Sequence, residues 1–141
     1  MADELATLIR LAKLQLDEKR KQLAVLLAKE DEMKAMRAVV LQRLEAESKN
    51  SQNALEGGRS HGAFAKASFK KRDEIDAAIV ELNKFIQSAR EEVRQAFEEM
   101  KRYEIAQDQR EQKARKEAQR RDTKQLDEVG SELNRRRQRE E

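Results

Sequence analysis

Ile75, Ile79, Leu82, Ile86, Ala89, Val93, Ala96, Met100 and Tyr103 recur at steps of four and three without a break, and this run constrains the chain more than any other feature. A strand alternates its faces every two residues and cannot produce such spacing. A mean step of 3.5 keeps one apolar seam turned towards a partner helix as the two wind around each other with a left-handed twist. A second, less regular series precedes it: Leu5, Ile9, Ala12, Leu16, Leu23, Leu26, Met33, Val40 and Leu44, interrupted at Lys19, Glu30 and Arg37. Extra leucines at Leu8, Leu11, Leu14 and Leu27 widen the first stripe, either as a broader packing face or as contacts to a further partner.

Composition excludes most alternatives. Charged residues make up 42% of the chain and hydrophobic ones 38%, with aromatics at 4% and no proline, cysteine or tryptophan. The vocabulary of sheets and tight turns is missing, and too few large apolar groups exist to fill a thick core. Long helices sharing a narrow seam remain. Without cysteine there is no disulfide framework and no thiolate metal site. Met1-Ala2-Asp3-Glu4 lacks the basic flank and apolar block of a leader, and no apolar stretch approaches the roughly 18 residues of a spanning helix, so a cytoplasmic location is expected.

Between the two series, Ser48 to Asn53 is polar, and Gly57, Gly58 and Gly62 follow closely. Glycine readily takes positive φ and weakens helices, so the chain is expected to reverse here. The expected fold is all-α: an antiparallel two-helix coiled-coil hairpin, one elongated domain over 1–141, with helix 1 at about 3–48, the turn at about 49–63, helix 2 at about 64–133 and a frayed basic tail at 134–141. If residues near 50 and 64 face each other, paired positions add to about 114, which sets Leu5 opposite position 109. The seam of helix 2 fades at the same place, after Tyr103, Ile105 and Ala106. From Gln107 to Gln125 nothing apolar is larger than Ala114 and Ala118. Helix 2 is therefore expected to overhang by about 40 Å at 1.5 Å per residue. Pairs such as Glu111 with Arg115 and Glu117 with Arg121 would support it weakly, and Gly130 is a weak point. Leu126, Val129 and Leu133 have no visible intramolecular mate and read either as a docking surface for another chain or as a fraying end.

Catalytic chemistry is not legible, and no enzyme is expected. His61 sits alone in the glycine-rich turn, and Gly57-Gly58 lacks the strand and lysine of a phosphate-binding loop. Glu91-Glu92 and Glu98-Glu99 lie on a helix with nothing to desolvate them, so raised carboxylate pKa values are not expected. No metal or other cofactor and no small-molecule substrate is implied. Arg135-Arg136-Arg137-Gln138-Arg139 and the Lys113–Lys124 cluster are basic, yet 13 basic residues from Lys101 onward are interspersed with 10 acidic ones, and stacking aromatics are absent beyond Tyr103. Nucleic-acid binding is accordingly not expected. Phe85 and Phe97 flank the seam, whereas Phe64 and Phe69 precede it beside Lys66, Lys70, Lys71 and Arg72, as a docking patch near the tip or as a cap on the coiled coil.

Length, the Leu5-Ala6-Thr7-Leu8-Ile9-Arg10-Leu11-Ala12 run, a longer second helix, and the stretches Lys101-Arg102-Tyr103-Glu104, Gln109-Arg110-Glu111 and Lys124-Gln125-Leu126-Asp127-Glu128 coincide in one chain. In these respects it resembles the FliJ family, soluble stalk proteins of flagellar type III protein export. The resemblance covers nearly the whole chain; Leu126-Asp127-Glu128 is its most discriminating element, and Phe64, Phe69 and Ile75 match the family's apolar residues after the turn only loosely. It implies a non-enzymatic role in flagellum biogenesis and motility. The end bearing both termini would enter a hexameric export ATPase, as the γ-subunit shaft does in rotary ATPases, and promote its assembly and activity. Contact with the ATPase pore would fall to Arg110, Arg115, Arg120, Arg121, Lys124, Leu126, Asp127 and Glu128. Phe64, Phe69 and Ile75 would meet an export-gate membrane protein or export chaperones. Such a protein would be monomeric when free and peripherally associated with the cytoplasmic face of the inner membrane. The alternatives are a YscO-like stalk of a virulence type III system, a scaffold that self-associates through Leu8, Leu11 and Leu14, and a nucleic-acid-binding coiled coil.

Overall fold

The computed structural model describes residues 2–51 and 57–140, with side chains from 4 to 50 and from 61 to 140. Two helices account for them, α1 at Ala2–Ser51 and α2 at Gly57–Glu140, with no strand among the described residues. The protein is all-α, as its heptad spacing implies. By contacts it divides into two units, Met1–Ala12 with Glu98–Glu141, and Lys13–Phe97, where the sequence alone suggests one domain.

Within the unit Lys13–Phe97 the helices run antiparallel. Lys19 Nζ donates to Glu92 Oε2 at 3.4 Å and Arg37 Nε to Asp76 Oδ1 at 2.6 Å, both within three residues of the register expected from the sequence. The seam on α1 takes in Leu16, Lys19, Leu23, Leu26, Glu30, Met33, Arg37, Val40 and Leu44, all buried or half-buried. Leu82, Ile86 and Ala89 are the most enclosed positions on α2. The three polar interruptions are thus true seam positions, and each has a partner: Glu92 for Lys19, Asp76 for Arg37, and Lys34, 3.2 Å away, for Glu30. An ionised group at the edge of a narrow seam keeps part of its hydration and gains an opposite charge, so it is tolerated where a thick core would exclude it.

The turn expected at about 49–63 is shorter than the glycines suggest. Residues 49–51 and 57–63 are helical, and 52–56 lie outside the described residues. No described residue, glycine included, has positive φ, so Gly57, Gly58 and Gly62 spend their freedom inside the first turns of α2. The heptad pattern explains why helix wins. On α2 the half-buried and buried positions continue backwards from Ile75 through Arg72, Ser68 and Ala65 to His61 at steps of three and four. Among the described residues the seam therefore reaches back to His61, well before Ile75; its early members are polar or small, which hid them from an apolar count.

In the unit formed by the two end segments, Leu5, Ile9 and Ala12 of α1 are buried, as is Met100 of α2. Tyr103, Glu104, Ala106 and Gln107 are half-buried, and every described residue from Asp108 to Glu140 is exposed. At 1.5 Å per residue that exposed helix is roughly 50 Å long. It runs through Gly130 and through the stretch expected to fray, ending at Glu140. A Cβ built on Gly130 would meet nothing within 4 Å, so the glycine fills no packing need there.

Candidate protein-docking surfaces

The residues assigned to an ATPase contact all lie on the exposed part of α2, but a straight helix does not gather them on one face. At about 100° per residue, Arg110, Arg120, Arg121, Lys124, Asp127 and Glu128 occupy one side, whereas Arg115 and Leu126 point to the other. Leu126 is 72% exposed, and Val129 and Leu133 share its side of the helix with more than half their surface in solvent. Lys113 and Lys116, part of the basic cluster in the sequence but not assigned to that contact, fall with Arg120 and Lys124 on a helical wheel. Lys116, Arg120 and Lys124 line one shallow recess with Gln119, Thr123 and Asp127.

The supporting pairs Glu111 with Arg115 and Glu117 with Arg121 do not form. Among the described residues beyond Gln107 the one ion pair is Arg136 Nε with Glu132 Oε1 at 3.7 Å. Fully hydrated charges on a single helix gain only a few tenths of a kcal/mol from such pairing, less than side-chain entropy readily offsets.

Phe64, Phe69 and Ile75 also separate. Phe64 is 38% and Phe69 43% exposed, and they flank the seam on opposite sides. Phe64 lines a groove with Val40, Arg43 and Lys71. Ile75, half-buried in the seam, shares those three residues in an adjoining groove of about 310 Å³ that adds Met36 and Val39 from α1. Met36 and Val39 were missed because they lie off the seam, where an apolar residue reads as ordinary surface. Phe69 belongs to a separate surface with Lys66, Lys70 and Ala77. The Arg72 guanidinium covers its ring at 4.8 Å from the centroid, and Arg72 Nη2 also donates to Asp73 Oδ1 at 2.8 Å. Cation and ring are thereby held in place from within the helix.

His61, expected in the turn, is a half-buried helical residue of the seam, and its Nδ1 is buried without a hydrogen-bond partner. No group of His, Cys, Asp or Glu among the described residues is arranged to hold a metal ion. Among the described residues Glu91 is the one carboxylate with a clear departure, and it goes down: hydrogen bonds from Arg94 are the largest cause and, with that cation's charge and a bond from Gln95, outweigh the opposing effect of desolvation. That is the reverse of what a general acid needs. Leu8, Leu11 and Leu14 are each exposed outside the seam. No helix among the described residues is long and apolar enough to cross a membrane. Comparison with protein-family models, with curated proteins and with solved structures finds no match.

Proposed function

We propose that this chain is a non-enzymatic, cytoplasmic coiled-coil stalk of a flagellar type III protein export apparatus. It binds a hexameric export ATPase through the exposed part of α2, promotes the assembly and turnover of that ring, and connects it to an export-gate membrane protein and to export chaperones at the inner membrane. The observation that carries the reading is the unbroken, charged, fully exposed helix from Asp108 to Glu140, continuous with a segment packed on the start of α1. A slender charged helix of roughly 50 Å is suited to entering a ring and contacting its walls without a core of its own. The family resemblance supplies the identity of that ring.

The test is capture of the purified export ATPase by the full chain and by a chain stopped after Ala106. Full-length protein retains the ATPase and raises its hydrolysis rate, and the shortened chain does neither. Equal capture by both would remove the exposed helix from the mechanism. Because the contact is between solvated charges, capture weakens as salt shortens the Debye length to about 10 Å at 0.1 M and below. A YscO-like role in a virulence system predicts the same behaviour with that system's ATPase, and neighbouring genes decide between them. The exposed Leu8, Leu11 and Leu14 favour a second reading, a self-associating scaffold. Sedimentation of a concentration-independent monomer would eliminate it.

A further inference from the structure

Two strips outside the pairing seam share one pattern. On α1, Glu32, Met36, Val39 and Arg43 follow one another at steps of four, three and four, each one residue before a seam position. Met36 is 49% and Val39 44% exposed. They belong to the adjoining grooves described above, whose other wall is Phe64, Lys71 and Ile75 of α2. On the exposed part of α2, Asp122, Leu126, Val129 and Leu133 repeat the steps of four, three and four, and Arg136 comes three residues later. A mean step near 3.5 keeps each strip on one face. From Glu32 to Arg43 and from Asp122 to Leu133 the rise is the same, about 16 Å.

Charge gives both strips a direction. Along α1 the acid Glu32 precedes the apolar pair and the base Arg43 follows it, with Lys71 of α2 lining the same grooves as Arg43. Along the α2 strip Asp122 comes first and Arg136 last. Laid antiparallel to α1, the strip would set Asp122 against Arg43 and Lys71, Leu126 against Val39 and Val129 against Met36. Leu133 would then cover Ala35 and the methylenes of Glu32. Arg136, which meets Glu132 of its own helix at 3.7 Å, would come down between Glu32 and Lys29. Laid parallel, Asp122 would meet Glu32, and Leu133 would meet Arg43. The antiparallel arrangement joins opposite charges where the parallel one sets acid against acid.

We infer that the strip Asp122, Leu126, Val129 and Leu133 of one copy of this chain docks in the groove of a second copy, antiparallel to its α1, as a third helix on the two-helix unit. A second copy is required because α2 supplies both the strip and one wall of the groove as a single unbroken helix, which cannot fold onto itself. Other exposed strips of the chain fit less well. Glu4, Leu8 and Leu11 are followed by Gln15 and Glu18, a polar amide and an acid where the docking strip has Leu133 and Arg136. Asp73, Ala77, Val80 and Lys84 put alanine and lysine in the places of Leu126 and Leu133. Three aliphatic side chains set against Met36, Val39 and Ile75 make a small contact, so the association is weak and reversible. Strip and groove are different surfaces, so the contact is heterologous: a copy that gives its strip still has its groove open. The inference does not rest on the stalk reading.

The test is sedimentation equilibrium of the full chain between about 10 μM and about 500 μM, the range in which a contact of this size is read. A groove variant carries M36Q and V39Q, and a strip variant carries L126Q and V129Q; all four side chains are exposed, so the helices survive. The mass of the unaltered chain rises with concentration, and each variant alone associates at least about tenfold more weakly. An equal mixture of the two variants forms a one-to-one dimer and stops there, because one intact strip meets one intact groove. D122R alone and R43D alone each weaken association about three- to fivefold, and D122R combined with R43D regains it. A mass that stays at the monomer throughout, a mixture that does not pair, or a combined charge variant weaker than either single one would overturn the inference. Association removed by L8Q with L11Q and untouched by the groove and strip variants would overturn it too, in favour of the leucine scaffold. No ATPase enters this measurement: a chain that fails to self-associate can still capture the ATPase, and one that fails to capture it can still self-associate, so the two readings fall separately.

Discussion

Ile86 is 1% exposed, the most enclosed large side chain among the described residues, and its neighbour Phe85 is 64% exposed. This contrast makes the phase of the seam measurable. Ile86→Ala removes three buried carbons, about 2.4 kcal/mol at about 0.8 kcal/mol each. The space left behind costs little more, because two helices can close on it more easily than a full core can. A loss of about 2.5–3 kcal/mol is expected, near the lower end of the usual range for such truncations. Phe85→Ala deletes a larger side chain of which only about a third is covered, so about 1 kcal/mol or less is lost. Urea unfolding followed by circular dichroism at 222 nm reads both, and with a slope near 1.5 kcal/mol/M the midpoint falls by about 1.5–2 M for Ile86→Ala. If Phe85→Ala proves as costly, or Ile86→Ala costs under about 1 kcal/mol, the seam is out of phase and the register built on it fails.

Other consequences can be checked in the same background. A double-mutant cycle on Arg37 and Asp76, whose side chains are 39% and 41% exposed, should give a coupling of at most about 1 kcal/mol that shrinks in 1 M salt; a salt-independent coupling would mean the pair is not solvated as described. Gly62→Ala and Gly130→Ala meet nothing within 4 Å and replace a poor helix former, so each should strengthen its local helix by about 1 kcal/mol, seen as slower amide exchange. Faster exchange would show that the glycines are not helical in solution. Glu91 is held below its ordinary pKa by Arg94, so its contribution is complete above the unfolded value of 4.5 and is lost as pH falls through the lower folded value. Arg94→Gln should return the Glu91 titration, followed by carboxyl carbon NMR, upward to the ordinary range, and no movement would remove Arg94 as the cause.

The strongest parts of the fold were legible because they depend on spacing and on where the apolar series break off. Steps of four and three set the seam, the short polar and glycine-rich connection set the partner and its direction, and the fading of the seam after Tyr103 set the place where burial ends at Gln107. The limits of the turn were not legible. His61, Ser68 and Arg72 occupy seam positions without being apolar, and helix continuity across Gly57, Gly58 and Gly62 is decided by those contacts over intrinsic preference. The candidate surfaces were legible by element but not by face. Arg115 and Leu126 stand close to Arg120 along the chain, and rotation separates them; it places Lys113 and Lys116 on the side of Arg120 for the same reason. Ion pairs on the exposed helix were misjudged because sequence proximity fixes only opportunity, and hydration decides whether two charges meet.

The antiparallel arrangement of the unit Lys13–Phe97 also sets how it answers to force. Lys13 and Phe97 stand at the same end of the ladder, so a load drawing them apart meets the rungs singly, and the tie between Lys19 and Glu92 is strained long before that between Arg37 and Asp76. A load dragging one helix lengthwise past the other strains every rung at once. Such a unit peels readily and slides with difficulty, which suits an element loaded along its length rather than across its ends.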